Sequence, residues 1–183
     1  MQRRTFLTAL AATFATPGLA LAQATPSEDM IMRRLDAAPA RRMRDSERVT
    51  VRELKRRPDL RRQAPSIDIQ SINFAFASAE IPRSEYPKVR QIGRAMEQIL
   101  RRRRRAVFLI EGHTDAVGTA AANLALSERR AESLKRILVR EYGVPSRALE
   151  TVGYGEEYLL VQTQNEEWRN RRVTLRRIDE FVR

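Results

Sequence analysis

The chain has 183 residues, with 35 Lys and Arg against 23 Asp and Glu and a formal charge of +12, which bounds it to one ordinary domain with something extra. It has no Cys and one His, His113; this excludes a disulfide framework, a Cys-based zinc or iron–sulfur site, a Cys nucleophile and a multi-His metal centre. Every basic residue except Lys55, Lys88 and Lys135 is Arg, and aromatics make up only 6%, thin for a protein built on aromatic stacking.

Residues 1–22 read as a secretory signal peptide: Arg3-Arg4, then an Ala-rich apolar stretch from Phe6, closing on Ala20-Leu21-Ala22. Cleavage is expected after Ala22, with a cut after Ala24 as the alternative. A membrane anchor is the competing reading, but the stretch falls just short of the roughly 20 residues a spanning helix needs, and Pro17-Gly18 breaks it. Arg3-Arg4-Thr5-Phe6-Leu7 also resembles a twin-arginine signal, and the export route stays open between the two.

Residues 23–65 are rich in Arg, punctuated by Pro26, Pro39, Pro58 and Pro65, and free of aromatics. Such a segment buries too little to offset its ordering entropy, so a basic, mobile arm is expected, with short helices around residues 30–35 and 49–56.

Residues 66–183 are patterned as a folding domain. Alternation over residues 67–76 predicts a strand, with a slip near Gln70-Ser71. Tyr86, Val89, Ile92, Met96, Ile99 and Leu100 recur at helical spacing after Pro82. The apolar run 106–110 reads as a buried central strand. Leu124, Ala131, Leu134 and Leu138 mark a second helix that stops before Gly143-Val144-Pro145, with Asn123 or Ser127 expected at its start. A weak strand over 148–152, a helix within 156–170 and a last strand over 173–178 complete the order β-α-β-α-β-α-β. The expected architecture is an α/β (α+β) sandwich, a mixed sheet of about four strands with helices packed on it.

The chemistry-bearing stretch is Glu111-Gly112-His113-Thr114-Asp115, in the loop after the central strand, a favoured place for ligand groups. Arg130, beside the buried Ala131, is placed to reach over the sheet edge toward Asp115, and Asn170-Arg171-Arg172-Val173 precedes the last strand. GHTD at 112–115, the N-x-x-x-S-x-x-R-A pattern at 123–131, GYG at 153–155 and NRRV at 170–173 together resemble the OmpA-like C-terminal domain family, peptidoglycan-binding modules of the cell envelope. The resemblance spans about residues 66–180. It implies that Asp115 pairs with the free ammonium of diaminopimelate in a peptidoglycan stem peptide and Arg130 with its carboxylate. It further implies that Thr114, Asn123 and Arg171 or Arg172 help to line the pocket. Two departures stand out. The acidic residue that family members often carry after the first strand is missing from Phe76-Ala77-Ser78-Ala79, and residues 156–168 lack the usual Pro and Gly.

A carboxylate and a guanidinium side by side suit a ligand with a cation and an anion on one carbon, since the planar guanidinium fork gives a carboxylate two parallel hydrogen bonds. Taken alone, without the surrounding motifs, Asp115 and Arg130 read as an ordinary surface ion pair. His113, without a second ligating partner, reads as a packing residue; no metal and no cofactor are expected. Arg101, Arg102, Arg103, Arg104 and Arg105 read as a solvated helix end favoured by the helix dipole, with an electrostatic tether as the alternative. Glu111, Asp115 and Glu128 form no pair set for glycosidic acid–base work, and the hydroxyls lack a general base, so catalysis is not expected. The reading is therefore an exported, periplasmic peptidoglycan-binding protein. The alternative is a basic envelope protein that binds acidic surfaces or an envelope protein through its arm, its pocket vestigial. Nucleic acid is not an expected partner, because no stacking aromatics accompany the charge.

Overall fold

The computed structural model describes residues 25–70, 72, 74 and 78–183; the expected leader at 1–22 and residues 71, 73 and 75–77 lie outside the described residues, and of the strand expected over 67–76 the described Gln70, Ile72 and Phe74 lie beyond its observed end at Ile69. Among the described residues the α-helices and strands follow in chain order: α1 (Glu28–Asp36), α2 (Val51–Lys55), α3 (Pro58–Arg61), β1 (Ser66–Ile69), α4 (Tyr86–Arg102), β2 (Phe108–Gly112), α5 (Ala120–Tyr142), β3 (Leu149–Gly153) and β4 (Val173–Arg177). The strands form one mixed sheet in the order β1-β4-β2-β3, with β2 and β3 parallel and the other pairs antiparallel. α5 is the crossover that a parallel β2–β3 pair requires.

One sheet face carries the main core. Ile67, Ile69, Phe108, Ile110, Val173 and Leu175 alternate onto it and meet Ile92, Met96 and Ile99 of α4 and Leu134 and Leu138 of α5. α4 starts with Pro87 in its first turn, where its missing N–H costs nothing. α5 is capped by Thr119, whose hydroxyl accepts from the Ala122 N–H at 3.2 Å, and it ends on Gly143 at φ 66°, a conformation that suits glycine. The helix therefore begins a turn before Asn123, and Arg130 lies three turns in rather than near its start. The close approach of α5 to the sheet has a local cause. Gly112 and Gly153 are register partners. A Cβ on Gly112 would stand 2.2 Å from the Ser127 carbonyl oxygen, and one on Gly153 2.4 Å from the Glu128 nitrogen.

Residues 25–65 correct the expectation of a mobile arm: they are packed into the domain. Ile31 and Leu35 of α1 are buried in the main core. Leu54 and Leu60, from α2 and α3, cover the opposite sheet face with Leu109, Ile178 and Phe181. Their own apolar residues are few, and the domain supplies the complementary surface. Two arginines of β4 complete the attachment. Arg177 donates to the Leu35 and Ala37 carbonyls at 2.8 and 2.9 Å, satisfying the end of α1, and Arg176 donates to the Arg61 carbonyl at 2.7 Å on the other face. The chain's last residues join in, with Val49 bridging to Val182.

The helix expected within 156–170 is likewise replaced, by turns. Asn170, fully buried, accepts from the Leu160 and Val161 amides at 2.8 and 3.0 Å and donates to the Val161 carbonyl at 2.9 Å. A side chain that satisfies the backbone in this way competes with helix formation.

Candidate functional site

The loop after β2 is held from two sides. Thr114 N–H donates to the Gly155 carbonyl at 2.9 Å, and Gly155 N–H donates to the Ser127 hydroxyl at 2.9 Å, so β2, β3 and α5 meet at one point. Asn123 donates its side-chain amide to the Asp115 and Val117 carbonyls at 3.3 and 3.2 Å and to the Glu156 carboxylate at 2.6 Å. Asn123 thus fixes the backbone that carries Asp115. Thr114 is buried, and its hydroxyl has no partner among the described residues.

Asp115 accepts a hydrogen bond from Arg171 at 2.7 Å, and the same Arg171 nitrogen reaches Glu166 at 2.8 Å. Arg130 donates through Nε to the Ser78 carbonyl at 3.2 Å, and its guanidinium lies 4.7 Å from the centre of the Phe74 ring. Among the described residues its two terminal nitrogens have no hydrogen-bond partner in the protein. Burial lowers the Arg130 pKa, the nearby Arg171 charge lowers it further, and Asp115 partly offsets both. Asp115, Arg130 and Arg171 therefore share one electrostatic neighbourhood, although the direct ion pair is Asp115–Arg171. Phe74, the Ser78 carbonyl and Glu166 were not read as site groups from the sequence. The only signal was the apolar alternation that placed Phe74 on a strand.

Arg172 goes elsewhere. Arg171 stands at a bend and Arg172 just before β4, and the two side chains part there. Arg172 donates to the Asn170 and Tyr158 carbonyls at 3.3 and 3.0 Å and lies 3.5 Å from Asp68. It lines a separate cavity of about 370 Å³ with Arg61, Glu111, His113 and Arg176. Inside, Arg176 grips Glu111 through two contacts at 3.0 and 3.2 Å, and Arg61 lies 3.4 Å away. Burial pushes the Glu111 carboxyl up, but His113, Arg176 and Arg61 outweigh it and hold the pKa at about 2. Arg61 also stacks 4.0 Å from the Tyr154 ring centre. His113 is buried between Tyr154 and Tyr158, and burial lowers its pKa. Arg176 and Arg61 share one buried carboxylate, Glu111, while Arg61 Nε, Arg172 Nε and both His113 ring nitrogens have no hydrogen-bond partner among the described residues.

The site can offer a dipolar ligand an anion at Asp115 and an open guanidinium fork at Arg130, with a second guanidinium at Arg171.

Comparison with known proteins adds the following. A family model described as "OmpA family" matches residues 73–173. Outer membrane porin F of Pseudomonas aeruginosa is 36% identical over 104 residues, covering 56% of this chain and 29% of the relative. The peptidoglycan-associated lipoprotein of Pseudomonas putida is 46% identical over 71 residues, covering 38% of this chain and 42% of the relative. The chain thus spans less than half the length of either. The crystal structure of the periplasmic domain of Helicobacter pylori MotB (residues 78–256) aligns with TM-score 0.51 at 20% identity, over 61% of this chain and 74% of that one. That last likeness concerns the fold alone.

Proposed function

The chain belongs to the OmpA family, and on that premise we propose that it is a non-catalytic cell-envelope protein that binds peptidoglycan through the diaminopimelate of the stem peptide. The observation that carries the reading is the shared neighbourhood of Asp115, Arg130 and Arg171, in which Arg130 keeps both terminal nitrogens free of protein partners among the described residues. The ligand ammonium takes the Asp115 carboxylate. Its carboxylate takes the fork of Arg130, with Arg171 turning from Asp115 toward it. Thr114 and Asn123 act through the backbone they hold. Arg172, engaged on the other face, is left out of the pocket. The names of the relatives, an outer-membrane porin and a peptidoglycan-associated lipoprotein, support both the envelope location and the ligand class.

Charge-assisted hydrogen bonds contribute about 1.5–3 kcal/mol each. Two of them, set against the cost of ordering a ligand, give micromolar-to-millimolar binding of one stem peptide. Many such contacts on a repeating lattice tether the protein without tight single-site binding. The test is co-sedimentation with purified sacculi. Asp115→Ala and Arg130→Ala are each expected to lose at least about tenfold in bound protein, one lost charge-assisted bond being worth that much. Binding equal to the parent by both variants would overturn the assignment.

A further inference from the structure

The end of the sheet away from Asp115 gathers a second charged feature. α4 finishes at Arg102, and Arg103, Arg104 and Arg105 lead into β2; all of residues 101–105 are exposed. α5 finishes at Tyr142, and the turn through Val144 and Pro145 brings exposed Arg147 alongside, just before β3. Arg101, Arg104 and Arg147 line one groove of about 290 Å³ together with a single carboxylate, Glu97, and its apolar part is Leu100, Val144 and Pro145.

Some of this charge has a local explanation. Arg101 pairs with Glu97 at 2.7 Å, and Arg102 and Arg103 pair with Asp36 at 3.1 and 2.9 Å. The helix dipole favours cations in the last turn, where Arg101 and Arg102 stand, and its effect fades beyond it. Neither account reaches Arg104, Arg105 or Arg147. They lie outside the α-helices and make no ion pair among the described residues. Among the described residues no ion pair offsets their mutual repulsion.

We propose that this groove and the arginines around it dock on the surface of a bilayer containing anionic phospholipid. The headgroup phosphate bonds to Arg104 and Arg147, and the apolar lining meets the glycerol and first methylenes below it. Arginine suits phosphate through its planar fork. The groove carries no aromatic for a base to stack on, which disfavours a nucleic acid. β2 separates this end from Asp115 by about 13 Å, four residue steps of about 3.3 Å. One molecule thus holds a membrane at one end of its sheet while the other end stays free. The proposal stands on this surface alone and does not require the peptidoglycan reading.

The test is sedimentation of the full chain with phosphatidylglycerol-containing vesicles and with purely zwitterionic vesicles at physiological salt. The parent is expected to bind the anionic vesicles selectively. Each guanidinium lost near such a surface weakens partitioning by about fivefold, so Arg101→Gln, Arg104→Gln and Arg147→Gln combined should lower it on the order of a hundredfold. A charge-matched variant on the exposed faces of the arm, Arg52→Gln, Arg56→Gln and Arg62→Gln combined, should stay within about threefold of the parent, its charges lying outside the docking face. Circular dichroism checks that both variants keep the parent fold. Parent-like binding by the groove variant overturns the proposal. So do equal losses in the two variants, equal binding of zwitterionic vesicles, or a preference for duplex DNA at equal phosphate.

Discussion

In the free protein Asp115 already holds Arg171, so a ligand ammonium enters by exchange rather than into an idle site. The exchange strands no charge: the Asp115 side chain, 11% exposed, passes from one cation to another, and the freed Arg171 side chain, 37% exposed, is solvated or turns to the ligand carboxylate. Arg130 gains more, because its buried cation sits near a second guanidinium and a ligand carboxylate relieves both. Asp115→Asn keeps the shape and removes the charge; it is expected to lose at least about tenfold in stem-peptide affinity by calorimetry while shifting the unfolding midpoint little. Glu111 is a residue of the opposite kind. Its pKa falls from the ordinary 4.5 to about 2 on folding, with burial opposing and His113, Arg176 and Arg61 prevailing. The folded state thus binds fewer protons than the unfolded one in that window. The stabilisation is full above about pH 4.5 and is lost as pH falls toward 2. Glu111→Gln leaves Arg61 and Arg176 facing a neutral group. It should cost about 3–5 kcal/mol at neutral pH and flatten the acid limb of stability measured in urea, relative to the parent. An unchanged acid limb would assign that pH dependence to other carboxylates.

At the scale of elements, the sharpest claim is that α1 is part of the fold. Leu35→Ala is expected to destabilise by about 2–5 kcal/mol in denaturant melts, as truncation of a fully buried leucine does; a truly mobile arm would give a negligible change. For the same reason, deleting residues 23–65 tests stability before it tests binding. Gly112→Ala drives a methyl group into the Ser127 carbonyl and should loosen α5 from the sheet, lowering stability and sacculus binding together. The strands and two long helices of the domain were legible in the sequence because their apolar residues repeat at the period of the element. Ile110 and Leu109 face opposite sides of the sheet, and both sides are covered, hence the unbroken apolar run. The arm was not legible because each short helix spends only one or two apolar residues, Ile31 and Leu35 in α1 and Leu54 in α2, on surfaces built by distant parts of the chain. The third helix failed for a similar reason: one buried amide, Asn170, outweighs local propensity. Motif spacing suggested Asp115 and Arg130 as partners, whereas the direct ion pair of Asp115 is with Arg171 and Arg130 shares only its electrostatic neighbourhood. The Arg171 contact was not legible, nor was the diversion of Arg172, since sequence alone leaves open which of two adjacent arginines faces the site.

For the whole molecule, the +12 charge is not spread evenly. Some arginines are absorbed by pairing or by carbonyls; among the described residues, Arg104, Arg105 and Arg147 make no ion pair, as Arg52, Arg56 and Arg62 of the arm also do not, but the former three gather at the end of the sheet away from Asp115. Salt should therefore separate two modes of attachment. Bilayer binding should fall steeply between low and physiological ionic strength, whereas stem-peptide binding at the partly buried Asp115 should change far less. The most direct measurement compares two soluble stem peptides by calorimetry, one carrying diaminopimelate and one carrying lysine, which keeps the ammonium and lacks the second carboxylate. The parent is expected to bind the diaminopimelate peptide at least about tenfold more tightly, and Arg130→Gln to erase the difference. Equal affinity of the parent for both peptides, or a preference that survives Arg130→Gln, would contradict the account.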